Sequence, residues 1–174
     1  MRRLLPLGVA CGLLSLASPS GAATPRYSSF GNLDGVGDCQ YETAANLILH
    51  EFPSANVTTS EVESAYNTNG GAFISPLWEG QQFLVSQGFD GHTARLITQV
   101  TDRSSIIAAA NSGGVEVTNL GPVRMHMFAI IAANRTHVVI VDDGFVYHYS
   151  WAWLDYAYTQ DGETLTYYAV KWSN

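Results

Sequence analysis

The chain is 174 residues long and carries 15 acidic against 8 basic side chains, a formal charge of −7. That balance disfavours nucleic acid and anionic membrane surfaces as partners, since both repel an acidic protein. Beyond residue 23 no stretch approaches the ~18 consecutive apolar residues of a membrane span, and the remaining chain, about 150 residues, is enough to bury the core of one ordinary domain.

The first residues read as an export signal: Arg2 and Arg3, an apolar run over residues 4–17, then small residues over 20–23 that suit a signal peptidase. The expected organisation is a signal peptide over residues 1–23 and a single secreted domain over residues 24–174. Cys11 would leave with the leader. Lipidation of Cys11 is the weaker reading, because in Leu7-Gly8-Val9-Ala10 the leucine stands one position too far away. Cys39 is then the one cysteine left, no disulfide can form within the mature chain, and packing must supply the stability.

Residues 24–36 read as an extended, turn-rich lead-in. Behind Cys39 the apolar positions Tyr41, Ala44, Ala45, Ile48 and Leu49 fall at helical spacing, which predicts a first helix from residue 38 to about 51. Thr59-Ser60-Glu61-Val62-Glu63 marks a second helix start, Asn67-Thr68-Asn69-Gly70-Gly71 a loop, and residues 77–87 a third helix closed by Gly88. The period then changes. A short strand over residues 89–96 and a helix over 101–111 precede the Gly113-Gly114 break, after which Val115-Glu116-Val117-Thr118 alternates as a strand does. Residues 127–133 and 138–141 are apolar strand runs split by Ala133-Asn134-Arg135-Thr136, and residues 145–149 and 165–172 give two more strands. Helices first and an antiparallel sheet afterwards is an α+β pattern.

Cys39 stands in Gly37-Asp38-Cys39-Gln40, where a glycine turn runs into the first helix. A helix N-terminus carries unpaired N–H groups and about half a positive charge, which favour a thiolate over a thiol. The competing reading is a small buried hydrophobe. A cysteine nucleophile needs a base, and the base needs a group to orient it. His50 lies about three helical turns from Cys39, ~16 Å along the axis and out of reach, and His92 follows a glycine in a loop. His126, His137 and His148 remain. In an antiparallel hairpin the start of the first strand lies opposite the end of the second, which makes His126 and Asp142 neighbours. His137 falls at the far end, seven or more residues away at ~3.3 Å each. Asp142-Asp143-Gly144 is also an ordinary turn signal.

At these residues the chain resembles the papain-like cysteine peptidases, and within them the double-glycine, bacteriocin-processing peptidase-like branch with its actinobacterial and phage relatives. Gly37-Asp38-Cys39 followed by Ala44-Ala45 is similar to that branch's nucleophile helix, and Trp78 with Gly88-Phe89-Asp90-Gly91 to its following segment. His126 resembles the catalytic histidine, Asp142 falls where the third catalytic residue is expected, and the run from Tyr149 to Tyr158 resembles the short closing helix. The resemblance implies a papain-like α+β fold, with N-terminal helices and the nucleophile at a helix start packed on a C-terminal antiparallel sheet. It also implies a Cys39-His126-Asp142 triad that cleaves peptide or protein substrates through a thioester. Two positions depart from the group. The usual oxyanion glutamine about six residues before the cysteine is replaced by Asn32-Leu33-Asp34, where Asn32 could supply an amide donor, and Met125 stands where glycine is common.

Two alternatives stay open. Thr136-His137-Val138-Val139 through His148 resembles the histidine strand of NlpC-type cell-wall peptidases, with His137 as base and His148 as its orienter. A catalytically degenerate binding module would keep the fold and use Tyr147, Tyr149, Trp151, Trp153, Tyr156 and Tyr158 as a surface, although such aromatic runs more often pack. No cofactor is implied. Nor is a metal, because the five histidines show no ligand spacing such as His-x-x-x-His.

Overall fold

The computed structural model describes residues 27–28, 38–68, 93–121, 125–159 and 162–173. The leader, Asn32, His92, the third helix expected over residues 77–87 and the Gly88-to-Gly91 segment lie outside them. The elements in chain order are α1 (Asp38–Glu51), α2 (Thr59–Thr68), β1 (Thr93–Val100), α3 (Arg103–Ala110), β2 (Val115–Leu120), β3 (Met125–Ala133), β4 (His137–Asp142), β5 (Phe145–Ser150), α4 (Trp151–Tyr158) and β6 (Thr164–Ser173).

Local chemistry sets the ends of these elements. Thr58 rather than Thr59 caps α2: its hydroxyl accepts from Glu61 N at 3.2 Å while the Glu61 carboxylate accepts from Thr58 N at 2.8 Å, a reciprocal capping box. Asp102 caps α3 by accepting from Ser105 N at 2.9 Å, and Ser150 caps α4 by accepting from Trp153 N at 3.2 Å. Asn134 closes the β3–β4 turn by accepting from the backbone N–H groups of Thr136 (2.9 Å) and His137 (2.8 Å). Between β4 and β5 the two-residue turn Asp143-Gly144 has φ of 50° and 73°, the doubly left-handed form whose twist matches a hairpin.

The strands form one six-stranded sheet in the order β1-β6-β2-β3-β4-β5, with antiparallel pairing throughout. The fold is α+β, with helices packed on that sheet. The strand expected over residues 89–96 instead runs on to Val100, because its partner β6 continues alongside it to Tyr167. This places a strand from before α3 at one edge, beside the last strand of the chain.

Helices cover both faces. On one face α1 contributes Ala45, Leu47 and Ile48 to a cluster with Ala129, Ile131, Val141 and Val170. On the other, Ile106 and Ala110 of α3 and Trp151 and Leu154 of α4 meet Val117, Phe128, Ile130, Val138 and Ile140. Successive β3 residues therefore serve opposite clusters, as the two-residue strand period requires. A strand buried on both sides reads as a continuous apolar run rather than an alternating one. Gly114, at φ 93° between α3 and β2, also lets α1 come close: a Cβ there would collide with the Leu47 side chain.

Candidate active site

β3 begins and β4 ends at the same end of the sheet, and the N-terminus of α1, which lies across both strands, arrives there. His126 and Asp142 therefore meet. His126 Nε2 lies 3.0 Å from both Asp142 oxygens, with the two side chains 21% and 17% exposed. Cys39 lies near enough to the same imidazole to raise its pKa. With Nε2 committed to Asp142, the nitrogen left for Cys39 is Nδ1.

Burial alone would lower the His126 pKa. The hydrogen bonds to Asp142 and Cys39, together with the negative charge on both, outweigh it and push the value up to about 9. Cys39 itself is half-buried in the first turn of α1, where backbone N–H groups have no intrahelical acceptor. Its carbonyl accepts from the Thr43 hydroxyl at 2.6 Å, which seats this end of the helix.

Two residues at the site carried no functional signal in the sequence. The Tyr158 hydroxyl donates to Asp142 Oδ2 at 3.2 Å, while its ring lies parallel to the His126 ring (9°, centroids 6.4 Å apart) and packs on Phe128 at 4.7 Å. Tyr158 thus covers the imidazole–carboxylate pair from α4. The second is Glu42, one turn after Cys39 and 1% exposed. Its Oε1 accepts from Gly144 N at 3.0 Å and from Asn46 Nδ2 at 2.7 Å. Burial, reinforced by the charges of Asp142 and Asp143, raises the Glu42 carboxyl to about 7 against the opposing effects of the Gly144 hydrogen bond and His126. Asn46 in turn exchanges hydrogen bonds with the Ser28 backbone at 2.6 and 3.0 Å, fastening the lead-in across α1.

The other described histidines are elsewhere. His50, at the far end of α1, bonds to the Tyr27 hydroxyl at 3.2 Å, and its pKa is lowered by burial despite a backbone hydrogen bond with Ile131. His137 is exposed at the start of β4, paired with Ser150 and bonded to the Thr136 hydroxyl at 2.9 Å. Five strand steps separate it from Asp142, about 17 Å. His148 is exposed on the edge strand β5, opposite Val139. The aromatic run divides: Trp151 is buried, whereas Tyr147 (36%), Trp153 (43%) and Tyr156 (69%) are exposed, so packing accounts for only part of it.

An imidazole held between a thiol and a carboxylate can take a proton from the sulfur and return it to a leaving group. Among the described residues no cluster of three or more His, Cys, Asp or Glu side chains is arranged to hold a metal ion, and no helix is long and apolar enough to cross a membrane. Compared with models of known protein families and with curated protein sequences, the chain matches none.

Proposed function

We propose that this protein is a secreted cysteine peptidase, or a related amide hydrolase, of papain-like type, working through Cys39, His126 and Asp142. The observation that carries this reading is His126 itself: Nε2 on the Asp142 carboxylate at 3.0 Å, with Cys39 near enough to act on the ring. Cys39 attacks the substrate carbonyl as the thiolate, forming the S–C bond and driving the carbonyl electrons onto oxygen. The backbone N–H of Cys39, with the Asn32 amide as a second donor, binds that oxyanion. As the intermediate collapses to a thioester, His126 gives its Nδ1 proton to the departing amine. Water then attacks the thioester with His126 as base, and the acid and free thiol are released. Asp142 holds the ring in the orientation that serves both steps and stabilises the imidazolium.

The pair of exposed histidines, His137 and His148, has no comparable support, since among the described residues neither shares a carboxylate or the thiol. The reading is tested by incubating the protein lacking residues 1–23 with a mixed-sequence peptide library and sequencing the new termini by mass spectrometry. Cleavage is expected in the wild type, none in Cys39→Ala, and about 10²–10⁴-fold less in His126→Ala. Cleavage that survives Cys39→Ala would overturn it.

A further inference from the structure

The β4–β5 turn has a backbone requirement of its own. In a two-residue hairpin turn the second turn residue's N–H lies outside the strand ladder, and a partly buried amide must find another acceptor. Gly144 N finds Glu42 Oε1 at 3.0 Å, across 102 residues of chain. Two residues before Gly144 stands Asp142, and one helical turn before Glu42 stands Cys39. A single buried side chain therefore ties the helix carrying the thiol to the turn that follows the carboxylate.

We propose that Glu42 is a positioning residue for this site: by holding the Gly144 amide it sets where Asp142 sits against His126 and couples that placement to the nucleophile helix. The inference rests on the Cys39-His126-Asp142 reading and adds to it a residue that touches neither substrate nor reacting atoms. Below about pH 7 Glu42 does this as the neutral acid. Its Oε1 accepts from both Asn46 and Gly144, it is 1% exposed, and the groups whose charges act on it are Asp142 at the end of β4, Asp143 in the turn and His126 on β3. Two of those three are carboxylates, so a charge on Glu42 is opposed there. When Glu42 does ionise, near pH 7, the added negative charge strengthens the preference of His126 for its imidazolium form. Loss of the Glu42 proton and the state of the catalytic ring are thus coupled.

The test is an NMR titration of the His126 ring from pH 5 to 10 in the wild type, Glu42→Gln and Glu42→Ala. The wild type is expected to titrate near 9 with a minor inflection near 7 from Glu42. Glu42→Ala frees the turn and should lower the main step by at least one unit, about a tenfold loss in the preference for imidazolium. Glu42→Gln keeps an oxygen for Gly144 and Asn46, so the main step should be restored and the inflection near 7 lost. A side chain that merely fills space would give no such inflection and would leave the main step in place when cut to alanine. If Glu42→Ala fails to fold, the loss of the wild-type inflection in Glu42→Gln decides alone. A wild-type main step near 9 that is unchanged in both variants, inflection included, overturns the role of Glu42 and leaves the triad standing. A wild-type ring titrating near its ordinary 6.5 overturns the triad, and this role with it.

Discussion

The two ends of the β3–β4 hairpin carry the same kind of side chain in opposite circumstances. At one end His126 is largely buried, flanked by Asp142, Cys39 and Tyr158, and pushed up to about 9. At the other, His137 is exposed and among the described residues its ring meets the neighbouring Thr136 hydroxyl. Both rings belong to well-paired strands of one sheet. The difference is what converges on them: the N-terminus of α1, the end of β4 and the end of α4 all meet at the first. At the second, Asn111 after α3 and Trp151 of α4 bond to the backbone of Ala133 and Asn134, which fastens the turn and leaves the His137 ring exposed. A histidine becomes chemically useful where several elements deliver charge and cover to it, and strand position alone does not supply that.

The largest expected effect breaks the comparison at its working end. His126→Ala should reduce peptide cleavage by about 10²–10⁴-fold, while His137→Ala leaves it unchanged, measured as initial rates on one susceptible peptide from the library. The next effect is on stability. A carboxyl with a raised folded pKa binds more protons folded than unfolded, so Glu42 lowers stability progressively as pH rises from 4.5 to about 7. That loss is on the order of 3 kcal/mol, and Glu42→Gln should abolish it in urea denaturation across this window.

His126 acts in the same direction at higher pH. Its pKa is raised from 6.5 to about 9, so its contribution is complete below 6.5 and is lost as pH climbs through 9. Asp142→Asn should flatten that part of the urea profile. A smaller change is expected from Tyr158→Phe, which keeps the ring over His126 but removes the hydroxyl from Asp142, at a cost of about 1 kcal/mol in the same assay. Smallest of all, His137→Ala should fall within ~0.5 kcal/mol of the wild type, as exposed substitutions do.

Much of this geometry was readable along the chain. Apolar runs and turn residues locate β3, β4 and β5, and counting back along the hairpin brings His126 to Asp142. Other features needed contacts that no local pattern encodes. The seat of β1 beside β6 depends on pairing between Thr93 and Ser173, and the burial of the sheet on both faces depends on where α3 and α4 fall. Tyr158 was read as part of an aromatic stretch, since nothing local distinguishes the one hydroxyl that reaches Asp142. Glu42 looked like an ordinary polar helix position because its partner, Gly144, lies 102 residues away.

The most direct test of the central claim is the rate at which a low concentration of iodoacetamide alkylates Cys39 between pH 5 and 9, in the wild type, His126→Ala and His137→Ala. If Cys39 and His126 work as a pair, the rate below pH ~7 falls at least tenfold in His126→Ala and is unaffected in His137→Ala. If all three proteins give one common rise near pH ~8.5, as a free thiol does, the pair does not exist and the catalytic account is wrong.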